Sequence, residues 1–316
     1  MTAVIERLSG LNPDFDATTR SPPNVHARSP DSTIARRLPR GAWDSHMHVV
    51  DPDRFPPSSS AAYYPSKHTV EDAINFENSI GMSKVVLVQP SIYGTDNSCL
   101  LEALTTLGPQ RARGVVVCDP DETTEQQLWQ WHEMGVRGIR VNYVSDGLEL
   151  AADEMRTTLL RYADLIRPLA WVLQIYLPMA LMEVLEDLAP RLGVTLCIDH
   201  MGCPSLTDDS TTDPYQIPGF PSLIRLLQQE NVYVKFSAPY RLSKLQSQAN
   251  LEPIAKELLR KRGKDRVVFA TDWPHTRFEG LDIRPWMGKV LDWCAAEPLL
   301  CERLFAKNAE DLWGMK

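Results

Sequence analysis

No C-x-x-C pair occurs anywhere in the 316 residues, and no apolar run approaches eighteen. The six cysteines (Cys99, Cys118, Cys197, Cys203, Cys294 and Cys301) are scattered, most of them inside apolar runs. That pattern reads as reduced core thiols of a cytoplasmic protein, not as a disulfide scaffold or a metal-binding cysteine pair. The shortness of the apolar runs leaves nothing to cross a bilayer as a helix, so no membrane partner is expected. Positive charge is also in short supply: 33 Lys and Arg stand against 41 Asp and Glu, a formal charge of −8. Without a basic surface to displace phosphate counterions, nucleic acid is an unsuitable partner. The opening MTAVIERLSGLNPDFD lacks an apolar core and carries acids early, so no secretory leader is expected. No G-x-G-x-x-G follows the first strand-like run and no P-loop glycine pattern is present, which argues against a nucleotide site; no internal repeat is visible either.

What the chain does have is an ordinary globular core composition, 43% hydrophobic, and a regular alternation. Residues 1–40 stand apart. They contain five prolines and no periodic apolar pattern, and read as an extended or disordered arm, with His26 solvated. Residues 41–316 read as one catalytic domain. Eight β-rich runs fall near 43–50, 84–90, 113–118, 137–142, 170–176, 194–199, 231–236 and 266–271. Stretches of helical period lie between them, as at 69–81, 179–192 and 249–261, with Gly81, Gly135, Gly193 and Gly263 placed as helix C-caps. A polar loop, 204–221, follows the sixth run, and residues 300–315 read as a packing helix. Eight strands alternating with helices predict an α/β fold of the TIM-type (β/α)8 barrel class, with an irregular N-terminal arm.

In such a barrel the chemistry sits at the C-terminal ends of the strands. The first run ends in Asp44-Ser45-His46-Met47-His48, the sixth in Asp199-His200 and the eighth in Thr271-Asp272-Trp273-Pro274-His275. Residues two apart on a strand point the same way, so His46 and His48 are expected to face the axis together. Two imidazoles there suit a divalent cation, or jointly polarise a substrate oxygen. His68 is unassigned, His132 is expected on a helix surface, and His275 is expected as a supporting residue or loop cap.

Those strand ends resemble the amidohydrolase superfamily. Within it the similarity is to the amidohydrolase-related branch that contains 2-pyrone-4,6-dicarboxylate and sugar-lactone lactonases. Gln89-Pro90-Ser91 through Asn97, Arg137 through Asn142, and Ser237-Ala238-Pro239-Tyr240-Arg241 extend the resemblance over about 41–312. The resemblance implies His46, His48, His200 and Asp272 as the catalytic set, with Asp272 as general base. The same four would be the metal ligands if a metal is bound. Tyr64, Ser91, Tyr93, Arg140, Asn142, Tyr176, Arg241, Trp273 and His275 are expected to bind substrate. Binuclear members use a carboxylated lysine on the fourth strand and a histidine on the fifth; here those strands end in Arg140-Val141-Asn142 and Gln174-Ile175-Tyr176. A two-metal site is therefore disfavoured, leaving no metal or one Zn or Mn.

The expected reaction is the opening of a lactone, pyrone-like or derived from a polyketide or aromatic of secondary metabolism, by Asp272-activated water. The carbonyl would be polarised by the histidines or one metal. The alternatives are a metal-dependent non-oxidative decarboxylase of an aromatic or pyrone carboxylic acid and, behind it, a non-catalytic small-molecule binding protein. Asp146, Cys203 and Gln246 stand where the dicarboxylate lactonase has arginines. This predicts a small lactone or carboxylate substrate with at most one carboxylate and more apolar surface, lined by Trp273, Phe278 and Tyr240. The acidic balance suits a soluble chain and leaves a homo-oligomer open.

Overall fold

The computed structural model describes residues 32–144, 151–206 and 213–314. Eight parallel strands follow one another in sequence order around a barrel: β1 (Trp43–Met47), β2 (Lys84–Val88), β3 (Ala112–Val116), β4 (Val136–Asn142), β5 (Val172–Tyr176), β6 (Thr195–Ile198), β7 (Val232–Phe236) and β8 (Val267–Phe269). Each falls on one of the eight predicted runs. The seam between β8 and β1 is closed by the chain just beyond β8. Asp272 N donates to His46 O at 2.9 Å, and His48 N donates to Trp273 O at 2.8 Å. The fold is the expected (β/α)8 barrel.

Helices Val70–Ile80, Met182–Leu192 and Glu252–Arg262 occupy the stretches of helical period. Their apolar faces pack on the outward side chains of the strands, such as Val232, Val234 and Phe236 of β7. The inward set is a second cluster: Trp43, Val86, Val88, Val115, Val172, Cys197, Tyr233 and Val268, plugged from below by Ala309, Leu312 and Trp313 of the last helix, Asn308–Trp313. Above this apolar floor the alternate inward positions turn polar, with Gln174 on β5 and Lys235 on β7, both fully buried. β1 needs one irregularity to serve both levels. A register shift between Asp44 and Met47 lets Trp43 join the floor while His46 and His48 enter the upper layer.

Two sequence readings need correction here. Ser32–Arg37 is a helix rather than extended or disordered chain. It docks at Gly81, whose φ of +84° caps Val70–Ile80 and where a Cβ would stand 2.6 Å from Ala35 Cβ. Residues 1–31 lie outside the described residues, as do Asp146 and the middle of the 204–221 loop. His132 is no free surface residue: its Nδ1 accepts from Trp171 Nε1 at 2.9 Å, and the two rings lie nearly coplanar, 6° apart. The C-terminal segment is a helix as expected, but with a π-helical turn at Arg303–Lys307. Among the described residues no helix is long and apolar enough to cross a membrane.

Candidate active site

β1 and β8 are pinned together by Asp44, which is wholly buried. Its Oδ1 accepts from His46 N at 3.0 Å and Thr271 N at 2.9 Å, and its Oδ2 pairs with Thr271 Oγ1. These bonds fix the histidine strand against the residue preceding Asp272. Behind Asp44 lies a second carboxyl, Glu77, also buried. Burial raises the Asp44 carboxyl to about 6. Burial, reinforced by Asp44, holds Glu77 well above the usual carboxylate range. Glu77 thus binds a proton more tightly folded than unfolded, and its contribution to stability declines as pH rises above the unfolded value near 4.5. A Glu77→Gln variant is expected to match the parent near pH 4 and to exceed it increasingly toward pH 8 in denaturant midpoint. A constant difference across that range contradicts the assignment.

The strand ends then converge on one carboxylate. Asp272 Oδ2 is held by Tyr240 Oη at 2.6 Å and Arg241 Nε at 2.7 Å. Its Oδ1 stands 3.6 Å from both His46 Nε2 and His48 Nε2, and 4.0 Å from His200 Nε2. Asp272 and His200 reach these positions with φ of 62° and 48°, left-handed values that only a well-determined surround sustains in non-glycine residues. Burial opposes ionisation of Asp272, but the Arg241 guanidinium and the neighbouring imidazoles prevail and hold its carboxyl well below the usual range. His200, bonded through Nδ1 to Ser237 Oγ at 2.8 Å, is lowered by burial to about 4 and is neutral at pH 7. His48 donates Nδ1–H to Val88 O at 2.7 Å, which leaves its Nε2 lone pair facing the site.

Beneath the histidines sits Asp199. Its Oδ2 accepts from Arg140 Nε and Gln174 Nε2, each at 3.1 Å. Its Oδ1 lies 3.4 Å from His46 Nδ1 and 3.7 Å from Lys235 Nζ. Burial works against its charge, and His46, Lys235 and Arg140 overcome it, so its carboxyl is also held well below the usual range.

The cavity above this layer is about 140 Å³. Of the expected residues, His48, Ser91, Arg140, Tyr176, His200, Arg241 and Asp272 line it. His46 forms its floor through the contacts already given. Others are placed elsewhere. Tyr64 is 73% exposed, and its neighbour Tyr63 faces the cavity instead, 3.3 Å from Ser91 Oγ. Tyr93 is buried, with its hydroxyl accepting from Asp51 N at 3.0 Å. Asn142 Oδ1 accepts from Val144 N at 3.1 Å at the end of β4. Trp273 stacks on Phe76, and His275 packs edge-on against Tyr240 and Phe76, so both support the wall from behind. Tyr240 bonds to Asp272, Phe278 packs on Tyr240, and Gln246 is exposed. The apolar lining expected from Trp273, Phe278 and Tyr240 is therefore absent among the described residues.

The sequence reading missed Tyr63, Asp199, Gln174, Lys235, Thr276 and Arg277. Lys235 carries a visible signal, a lone cation inside the apolar run Val232–Phe236, and Asp199 directly precedes His200. Arg277 carries none. It lies in the loop after β8, reaches the cavity mouth, and sets its guanidinium 4.4 Å from the Tyr63 ring centre without an ion pair among the described residues.

His46, His48 and Asp272 form a group able to hold a metal ion, as do His46, Asp199 and His200. In the first group the donor atoms are spaced 3.3, 3.6 and 3.6 Å apart. The edge of a zinc tetrahedron with bonds near 2.0–2.1 Å is about 3.4 Å, so the spacing fits one cation. β4 and β5 contribute Arg140 and Tyr176 beside it, neither of them a ligand type for a second.

A family model described as Amidohydrolase matches residues 43–315. A 2-pyrone-4,6-dicarboxylate hydrolase of Comamonas testosteroni is 29% identical over 266 residues, 81% of this chain and 83% of its own. A 4-sulfomuconolactone hydrolase of Hydrogenophaga intermedia is 27% identical over 284 residues, covering 88% and 90%. The crystal structure of a putative 2-pyrone-4,6-dicarboxylic acid hydrolase from Pseudomonas putida superposes with a TM-score of 0.70 at 29% identity, covering 87% of this chain and 98% of that one. With its histidines on β1 and after β6, and its aspartate after β8, at the mouth of a (β/α)8 barrel, this chain is an enzyme of the Amidohydrolase family.

Proposed function

We propose that the chain hydrolyses a small lactone bearing one anionic group, with Asp272 moving the proton. The observation that carries this reading is the placement of Asp272: one oxygen is anchored by Tyr240 and Arg241, and the other faces three imidazoles at the cavity floor. A carboxylate so held is ionised at neutral pH and has one oxygen free to accept a proton. Water enters between Asp272 and the lactone carbonyl. Asp272 takes its proton as the oxygen adds to the carbonyl carbon, and the Nε2–H of His200, whose Nδ1 is bonded to Ser237 Oγ, stabilises the oxyanion. The ring C–O bond then breaks, and Asp272 returns the proton to the departing oxygen. If a divalent cation is bound, His46, His48 and Asp272 would hold it, and it would supply Lewis-acid polarisation of the carbonyl.

The names of the two curated relatives support a cyclic ester carrying acid groups. The cavity supports a single anion. Arg140 and Arg241 each engage an internal carboxylate through Nε, whereas Arg277 makes no ion pair among the described residues. For Arg277→Met we expect KM for an anionic lactone to rise about tenfold, the value of one charged hydrogen bond at an open mouth. KM for the matching neutral ester should move less than twofold. Equal effects on both would remove Arg277 from substrate recognition.

The reaction itself is tested in 18O-water with pyrone carboxylates and muconolactone-type substrates. Hydrolysis places one 18O in the new carboxylate and releases no CO2. Release of CO2 with an intact ring would replace this reading with decarboxylation.

A further inference from the structure

Lys235 is fully buried in the middle layer of the barrel, and no step of the proposed reaction uses it. Its ammonium donates to Gln174 Oε1 at 2.6 Å, stands 3.3 Å from His46 Nδ1 and lies over the Trp313 ring at 5.3 Å. Burial lowers the Lys235 amine, but Asp199 Oδ1 at 3.7 Å and the Trp313 face favour its charged form, and an ammonium has three donors and no acceptor. Within the contact to His46, Lys235 is therefore the donor and Nδ1 the acceptor.

The other end of His46 gives the same result independently. His46 Nε2 and His48 Nε2 are 3.3 Å apart, and a hydrogen bond between them in the metal-free protein needs one of them to carry the hydrogen. His48 spends its N–H on Val88 O at 2.7 Å, a group that only accepts. The hydrogen is therefore on His46 Nε2. The donations run in one direction, Lys235 to His46 to His48 to Val88 O.

We infer that Lys235 is a positioning residue that locks His46 as its Nε2–H tautomer, aiming that hydrogen at His48 Nε2 and opposing metal capture at the same nitrogen. A cation at the His46, His48 and Asp272 group needs both Nε2 lone pairs bare. His46 can bare its Nε2 only by carrying the hydrogen on Nδ1, where it would point at the ammonium 3.3 Å away. Asp199 Oδ1, at 3.4 Å from the same nitrogen, is the competing acceptor that would favour the metal-ready tautomer. The pair sets the choice: lysine holds the donor form, and its removal leaves Asp199 to orient the ligand form.

The test reads tautomers directly and does not depend on turnover, so its failure and the failure of the hydrolase reading are separate results. Metal-free wild-type protein labelled with 15N-histidine is examined by long-range 1H–15N correlation, the His46 signals being identified by their loss in His46→Gln. The expected pattern is Nε2–H at His46; an Nδ1–H pattern in the wild type overturns the inference whether or not any variant folds. In Lys235→Met, which keeps the length and the packing on Trp313, His46 is expected to switch to Nδ1–H. Zn²⁺ affinity, measured by competition with a chromophoric chelator, is expected to tighten at least tenfold. A folded Lys235→Met protein with unchanged His46 tautomer overturns the positioning role. A switched tautomer with unchanged Zn²⁺ affinity overturns the role in metal exclusion.

Discussion

Asp272→Asn is expected to reduce kcat between about 10² and 10⁴-fold, the range for removing a positioned acid–base group. Ligand binding should stay within a few fold. The amide oxygen can still accept from Tyr240 Oη and Arg241 Nε, which bond Asp272 Oδ2 at 2.6 and 2.7 Å. The substitution therefore removes the proton acceptor and leaves the wall that it anchors. Single-turnover rates on a lactone give the first quantity, and calorimetry with the ring-opened product gives the second. A rate within tenfold of the parent would mean that another group moves the proton. A loss of binding equal to the loss of rate would mean that the amide has disturbed the cavity.

The largest effect on stability is expected at Asp199, not at Asp272. Asp199 is buried and holds three cationic or donor groups from three strands: Arg140 on β4, Gln174 on β5 and Lys235 on β7. Asp199→Leu leaves Arg140 and Lys235 facing each other without an anion. Removing one partner of a buried charge pair costs about 3–5 kcal/mol, and urea unfolding at pH 7 measures it. The sign of the pH dependence follows from the depressed folded-state carboxyl. The contribution of Asp199 is fully present above its unfolded value near 3.8 and is lost as pH falls through the lower folded value. The deficit of the variant should thus be constant from pH 5 to 8 and shrink below pH 4. A loss under 1 kcal/mol at pH 7 would show that the interior relaxes around two unpaired cations, contrary to their close burial.

Local chemistry determined a large share of this protein. Strand positions were legible because each β-rich run sits between a glycine or turn signal and a stretch of helical period, and each such run forms a strand. The clustering of polar side chains at the barrel mouth was legible for a related reason. His46, His48, His200 and Asp272 interrupt apolar runs at their C-terminal ends, the one place in a barrel where polar side chains converge. The same logic, pressed one step further, would have found Lys235, because a lysine inside Val232–Phe236 has no apolar neighbour to satisfy its charge.

What local chemistry could not supply was direction and pairing across strands. Tyr63 and Tyr64 are equivalent by composition, yet one faces the cavity and the other is 73% exposed. The path of the loop after β1 decides between them. Asp44 and Asp199 are both aspartates close in sequence to histidines of the cluster. The bulge in β1 turns Asp44 outward to Glu77, whereas β6 turns Asp199 inward to Arg140 and Lys235. Their carboxyls consequently move in opposite directions, up for Asp44 and down for Asp199. Which hydrogen His46 carries is likewise set by Lys235, 189 positions away in the chain. The amino-acid order fixed which groups were available at the barrel mouth. Tertiary structure decided which of them share a charge, because burial makes every such partnership depend on distances of a few ångströms that no local pattern encodes.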